Sequence, residues 1–226
     1  MTTIAIIDYG VGNVRSVQRL VAANGADVVV TADAETLRKS DGIILPGVGA
    51  FGAAMERLGE TGLIPALREL ALDLKRPFLG ICLGMQLLSR RSDESPSVDG
   101  LGLIDADCHA LHVEGQIDWR GQELSVPHMG WNAVLTHAGA RLFDGIPEAS
   151  DFYFAHSYFL KCDDPAVVAA DVDYGGRICC AVQSGKIFGA QFHPEKSQGV
   201  GQAVLRNFIR VSAQAKEGPT TEGAAA

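Results

Sequence analysis

The chain has 226 residues, enough for one sizeable α/β domain and short for two. Apolar residues make up 47% and charged residues 20%, which excludes a disordered chain, and a net charge of -8 disfavours a phosphate-tracking nucleic-acid surface. No apolar run is long enough to span a bilayer, the start lacks a signal peptide's basic segment and cleavage site, and five cysteines show no framework spacing, so a reducing, cytoplasmic setting is expected.

The first half alternates strand and helix signals. Ile4 to Ile7 is a short apolar run ending at Asp8, as in a strand buried on both faces. Asn13 is placed to cap a helix from Val14 to about Ala23, whose apolar residues Val14, Val17, Leu20 and Val21 recur at helical spacing. Asp27 to Val30 is the next expected strand and Ala34 to Arg38 a short helix. Gly42 to Leu45 is a third strand, leading into the glycine-rich PGVGAFG. Helical periodicity returns around Ala53–Leu58 and at Pro65–Leu74, with Pro65 suited to a first turn. Phe78 to Ile81 is a fourth strand, followed at once by CLGMQLL as a helix.

This order predicts an α/β fold with a mostly parallel central sheet and helices on both faces. Between Gly100 and Leu135 the pattern becomes short and turn-rich, as in hairpins. Further strands are expected at Phe152–Ala155, Val167–Ala170, Cys179–Gln183 and Ile187–Gln191, and a closing helix from Gln202 to Val211. One domain over residues 1–212 and a disordered tail over 213–226 complete the expectation.

Sites in open α/β sheets form at the carboxyl ends of parallel strands. Cys82 falls at such an end, with glycines two positions before and after it, the layout of a nucleophile elbow. A helix beginning there favours a thiolate, and the backbone N–H of Leu83 would face a tetrahedral oxyanion. A buried core cysteine is the alternative. His193-Pro194-Glu195 follows a late strand. In extended backbone the first and third of these share a side, so Glu195 can orient the His193 ring and leave its other nitrogen for a thiol. The PGVG segment can aim a backbone N–H at an oxyanion or cradle a phosphate; without GxxxxGK[ST] or a GxGxxG opening a helix, nucleotide binding is the weaker option. His109, His112 and His137 show no metal-ligand spacing, so no metal and no cofactor are expected.

GICLGMQLL together with GAQFHPEKS resembles the class I, or triad-type, glutamine amidotransferases. DYGVGNVRS, PGVGAFGAAM, PHMGWN (127–132), YFAHSY (153–158) and the KSQ after HPE sharpen this to a resemblance with the glutaminase subunits of imidazole glycerol phosphate synthases, from about Ile4 to Val211. The resemblance implies a flavodoxin-like fold, Cys82 as nucleophile, His193 and Glu195 as its partners, and an oxyanion hole from Leu83 and Val48. It implies substrate contacts at Gly49, Gln86, Ser157 and Tyr158, and at Glu94 for the α-amino group, the last resting mainly on its distance from Cys82. It further implies a (β/α)8-barrel cyclase as partner, an interface including Asn13, Trp131, Tyr153 and Lys196, and a place in histidine biosynthesis. His128 and His156 are expected to be structural or interface residues, since the base is already supplied.

Overall fold

The computed structural model describes residues 1–118 and 121–217. Its first half runs β1 (Thr3–Ile7), α1 (Val14–Ala23), β2 (Asp27–Thr31), α2 (Ala34–Lys39), β3 (Gly42–Gly47), α3 (Phe51–Glu60), α4 (Ile64–Arg68), β4 (Phe78–Cys82) and α5 (Leu83–Gln86). The second half holds β5 (Arg91–Ser92), β6 (Ala106–Ala110), β7 (His128–Thr136), β8 (Ser150–His156), β9 (Tyr158–Cys162), β10 (Val168–Asp173), β11 (Arg177–Ser184), β12 (Ile187–Ala190) and α6 (Gln198–Glu217).

The main path of the sheet is β2-β1-β3-β4-β12-β11-β10-β7-β8. Strands β2, β1, β3, β4 and β12 pair in parallel; from β11 to β8 the pairing is antiparallel. β6 pairs with β9, which joins β11 by the single pair Cys179↔Leu160. The late strand β12 therefore lies directly beside β4, with Ala190 opposite Ile81. That adjacency brings His193 to the end of the strand that carries Cys82.

Alternation along the strands sorts the core into two layers. Ile4 and Ile6 of β1 face Val17 and Val21 of α1 and Val204, Leu205 and Phe208 of α6. Ala5 and Ile7 face the other way, toward Leu37 of α2, Phe51 and Leu58 of α3 and Leu67 of α4. Helices thus cover both faces, as the βαβ pattern requires.

Three elements differ from expectation. The helix at 65–74 begins as α4 but widens into a π-helical turn over Glu69–Asp73. The helix after Cys82 is a single turn: the buried Ser89 hydroxyl donates to the Gln86 carbonyl, and the chain leaves the helix there. At the other end of the chain, α6 extends four residues earlier and several later than 202–211, so residues 213–217 of the expected tail are helical; the rest of it lies outside the described residues. Among the described residues no helix is long and apolar enough to cross a membrane.

Candidate active site

Cys82 ends β4 with φ 54° and ψ -113°, a backbone conformation that L residues rarely adopt. Close packing holds it there. A Cβ on Gly80 would lie 2.5 Å from the Gly84 carbonyl oxygen and 2.7 Å from the Met85 nitrogen, and one on Gly84 would collide with the Leu45 carbonyl of β3. Glycine at both positions lets strand, turn and neighbouring strand approach one another, which is why the elbow motif carries them. α5 is only one turn long, shorter than the helix expected behind the thiol.

His193 Nδ1 lies 2.9 Å from Glu195 Oε1, and the His193 ring lines the same cavity as Cys82. Burial opposes charge on this ring, but the bonds and charges of Cys82 and Glu195 outweigh it and raise the pKa to about 9. Burial would push Glu195 up, yet the bond to His193 holds its carboxyl below the ordinary range. The pair is anchored from behind. His193 N–H donates to the Tyr153 carbonyl, and the buried Ser197 hydroxyl donates to the His193 carbonyl while accepting from Tyr153 N–H. Asn13 sits at the N-terminus of α1, but its side chain makes no cap; Nδ2 instead donates to Glu195 Oε1 at 3.3 Å.

A cavity of about 320 Å³ opens over Cys82, at the small end of the ~300–1,000 Å³ range of ligand sites. Its walls hold every residue expected around the substrate: Val48 and Leu83 for the oxyanion, and Gly49, Gln86, Glu94, Ser157 and Tyr158. Glu94 also accepts from Phe51 N–H at 2.7 Å, fastening the wall to the start of α3. Gly49 has φ +93°, so the PGVG segment turns sharply here, while its Pro46 and Gly47 belong to β3. Lys196 reaches the same cavity, with Nζ 5.4 Å from the Tyr153 ring, and Trp131 packs edge-on against that ring at 6.0 Å. Trp131, Met129 and Val48 are 48%, 65% and 42% exposed, large apolar side chains gathered at and beside the cavity.

Sequence reasoning missed three residues that the structure brings to the site. Gln191 is fully buried, and its Nε2 lies 3.8 Å from Cys82 Sγ. The Tyr9 hydroxyl is buried, donates to the Pro46 carbonyl at 3.0 Å, and has its pKa raised by burial and by the charge at Cys82. Ser197 is the third. All three sit inside motif blocks noted above, and Gln191, two residues before His193, carries the same period-two signal that joins His193 to Glu195.

His128 and His156 form a buried pair rather than a catalytic one. Burial lowers their pKa values to about 3 and about 4, so both rings are neutral. His156 Nδ1 faces the Tyr158 carbonyl at 2.8 Å and must donate to it. His156 Nε2 is then an acceptor, and His128 Nδ1–H donates to it at 3.0 Å. Among the described residues, no three His, Cys, Asp or Glu side chains gather as a metal site would need.

A family model described as glutamine amidotransferase class-I matches residues 5–211. Imidazole glycerol phosphate synthase subunit HisH of Bacillus cereus (strain G9842) is 46% identical over 205 residues, covering 91% of this chain and 93% of the relative. The HisH subunit of Geobacter metallireducens is 44% identical over 208 residues, with coverages of 92% and 98%. Among solved structures, one described as glutamine amidotransferase superposes with TM-score 0.71 at 16% identity, covering 93% of this chain and 99% of the other. PurLQS from Thermotoga maritima superposes at 0.67 and 19%, covering 93% and 98%. The chain belongs to the class-I glutamine amidotransferases and, within them, to the HisH subunits of imidazole glycerol phosphate synthase.

Proposed function

We propose that this chain hydrolyses glutamine to glutamate and ammonia through a thioester on Cys82, and delivers the ammonia to a (β/α)8-barrel cyclase partner. The observation that carries it is the Cys82–His193–Glu195 constellation opening into a cavity with an apolar rim.

The Cys82 thiolate attacks the side-chain amide carbon of glutamine, forming a C–S bond, and the oxyanion is held by the N–H groups of Leu83 and Val48. The protonated His193 gives its proton to the departing nitrogen as the C–N bond breaks, releasing ammonia. Water then adds to the γ-glutamyl thioester with His193 as base, the C–S bond breaks, and glutamate leaves. Glu195 orients the ring throughout, and Asn13 holds Glu195. Gly49, Gln86, Ser157 and Tyr158 position the substrate, and Glu94 receives its α-ammonium group.

Ammonia released into water at neutral pH is mostly protonated and no longer nucleophilic, so a partner that captures it in place is required. Asn13, Trp131, Tyr153 and Lys196 belong to the face that meets this partner. In that complex the ammonia serves synthesis of imidazole glycerol phosphate and aminoimidazole carboxamide ribonucleotide, in histidine biosynthesis. The test is glutamate release by the chain alone, then with a barrel cyclase and its ribonucleotide. Slow release alone and strong acceleration in the complex are expected; full activity in isolation would favour a free-standing hydrolase instead.

A further inference from the structure

Gln191 is wholly buried beside the reacting sulfur, and nothing in the triad chemistry uses it. Its orientation is fixed by its neighbours. The Tyr158 carbonyl can only accept, so Gln86 must present Nε2 to it, at 3.1 Å. The same Gln86 Nε2 lies 3.1 Å from Gln191, which therefore turns Oε1 toward it. Gln191 Nε2 is left facing Cys82 Sγ at 3.8 Å. The Tyr158 carbonyl is held from its other side by His156, which His128 holds in turn. From His128 to the sulfur, every donor and acceptor in this chain has one allowed direction.

We propose that Gln191 is a further catalytic residue, whose buried side-chain N–H donates to the Cys82 thiolate and stabilises it before attack. The inference rests on Cys82 being the nucleophile. Two polar groups flank Sγ besides His193: the Ala155 carbonyl at 3.9 Å, which suits a protonated thiol, and the Gln191 N–H, which suits a thiolate. When the thiol proton passes to His193, the carbonyl contact turns unfavourable, and the amide contact becomes a charge-assisted hydrogen bond. The donor is already in place, so no reorganisation is needed at that moment.

Gln191→Met keeps the length of the side chain and Gln191→Leu most of its bulk; both remove the N–H donor without placing a charge beside the sulfur. The test is the pH profile of Cys82 alkylation by iodoacetamide, with glutamate release in the cyclase complex measured alongside. A profile displaced upward by about one pH unit, with roughly tenfold less thiolate at neutral pH, is expected in both variants. In the complex kcat should fall by a similar factor with KM little changed. A purely structural Gln191 would lower the melting temperature and leave the alkylation profile alone. If Gln191→Met does not fold, Gln191→Leu carries the test by itself. A wild-type profile in the folded variants overturns the proposal. Glutamate release surviving in Cys82→Ala would instead overturn the nucleophile assignment, and the two failures are distinct.

Discussion

Gly80→Ala tests whether the elbow is built by close backbone packing. The added methyl would stand 2.5 Å from the Gly84 oxygen and 2.7 Å from both the Gly84 carbonyl carbon and the Met85 nitrogen. Ordinary contact begins at 3.4 Å, so the turn must retreat by about 0.9 Å, and all three opposing atoms are backbone that no rotamer change can move. Overpacking of this kind costs about 1–3 kcal/mol, and an immovable backbone puts this site at the upper end. The retreat also displaces Leu83 and the Cys82 sulfur relative to His193, and a misplacement near 1 Å costs on the order of 10²-fold in rate. Urea unfolding followed by circular dichroism, with glutamate release in the cyclase complex, measures both. Gly59→Ala is the control: its methyl meets nothing nearer than Ile64 Cδ1 at 4.0 Å, within α3, where alanine should stabilise by up to about 1 kcal/mol. Gly80→Ala with stability within about 0.5 kcal/mol of wild type would refute the packing argument.

Other perturbations separate strain, charge and contact. Cys82→Gly should be more stable than Cys82→Ala by about 1–2 kcal/mol in urea, because glycine alone adopts φ 54°, ψ -113° freely; equal stability would mean the elbow stores no strain. His193 has its pKa raised to about 9, so it is protonated below that pH, and glutamate release should fall as pH rises through this value; a flat rate there would remove the imidazolium as proton donor. Glu195→Gln should lower the rate by roughly 10²-fold or more and move this limb to lower pH, since the carboxylate's bond and charge help to raise the His193 pKa. Trp131→Ala should weaken cyclase binding by roughly 10–100-fold in titration calorimetry and leave the fold intact, as its ring is half exposed; unchanged binding would move the interface elsewhere.

Strands β1 to β4 were legible to within a residue or two, because each is an apolar run too short to be a helix and is bounded by glycine, proline or a charged residue. The grouping of Cys82, His193 and Glu195 was legible too: glycines around Cys82 and the period-two spacing of His193 and Glu195 are local signals, and β12 pairing with β4 joins them. What escaped depends on long-range partners. The end of α5 is set by the Ser89 hydroxyl and the placement of Gln191 by Gln86 and Tyr158, 105 and 33 residues from it. Asn13 carried a capping signal, but the nearby Glu195 carboxylate takes its side chain. The extra turns of α6 begin with glycines that show no apolar periodicity, although Gly201 N–H is bonded to the Ser197 carbonyl.

Mass spectrometry of the complex, acid-quenched while turning over glutamine with cyclase and ribonucleotide present, tests the thioester on Cys82 most directly. A gain of one glutamyl group, mapped to the peptide containing Cys82 and missing from Cys82→Ala, is the expected result. Undiminished glutamate release by Cys82→Ala, or a glutamyl adduct on a different residue, would contradict the mechanism.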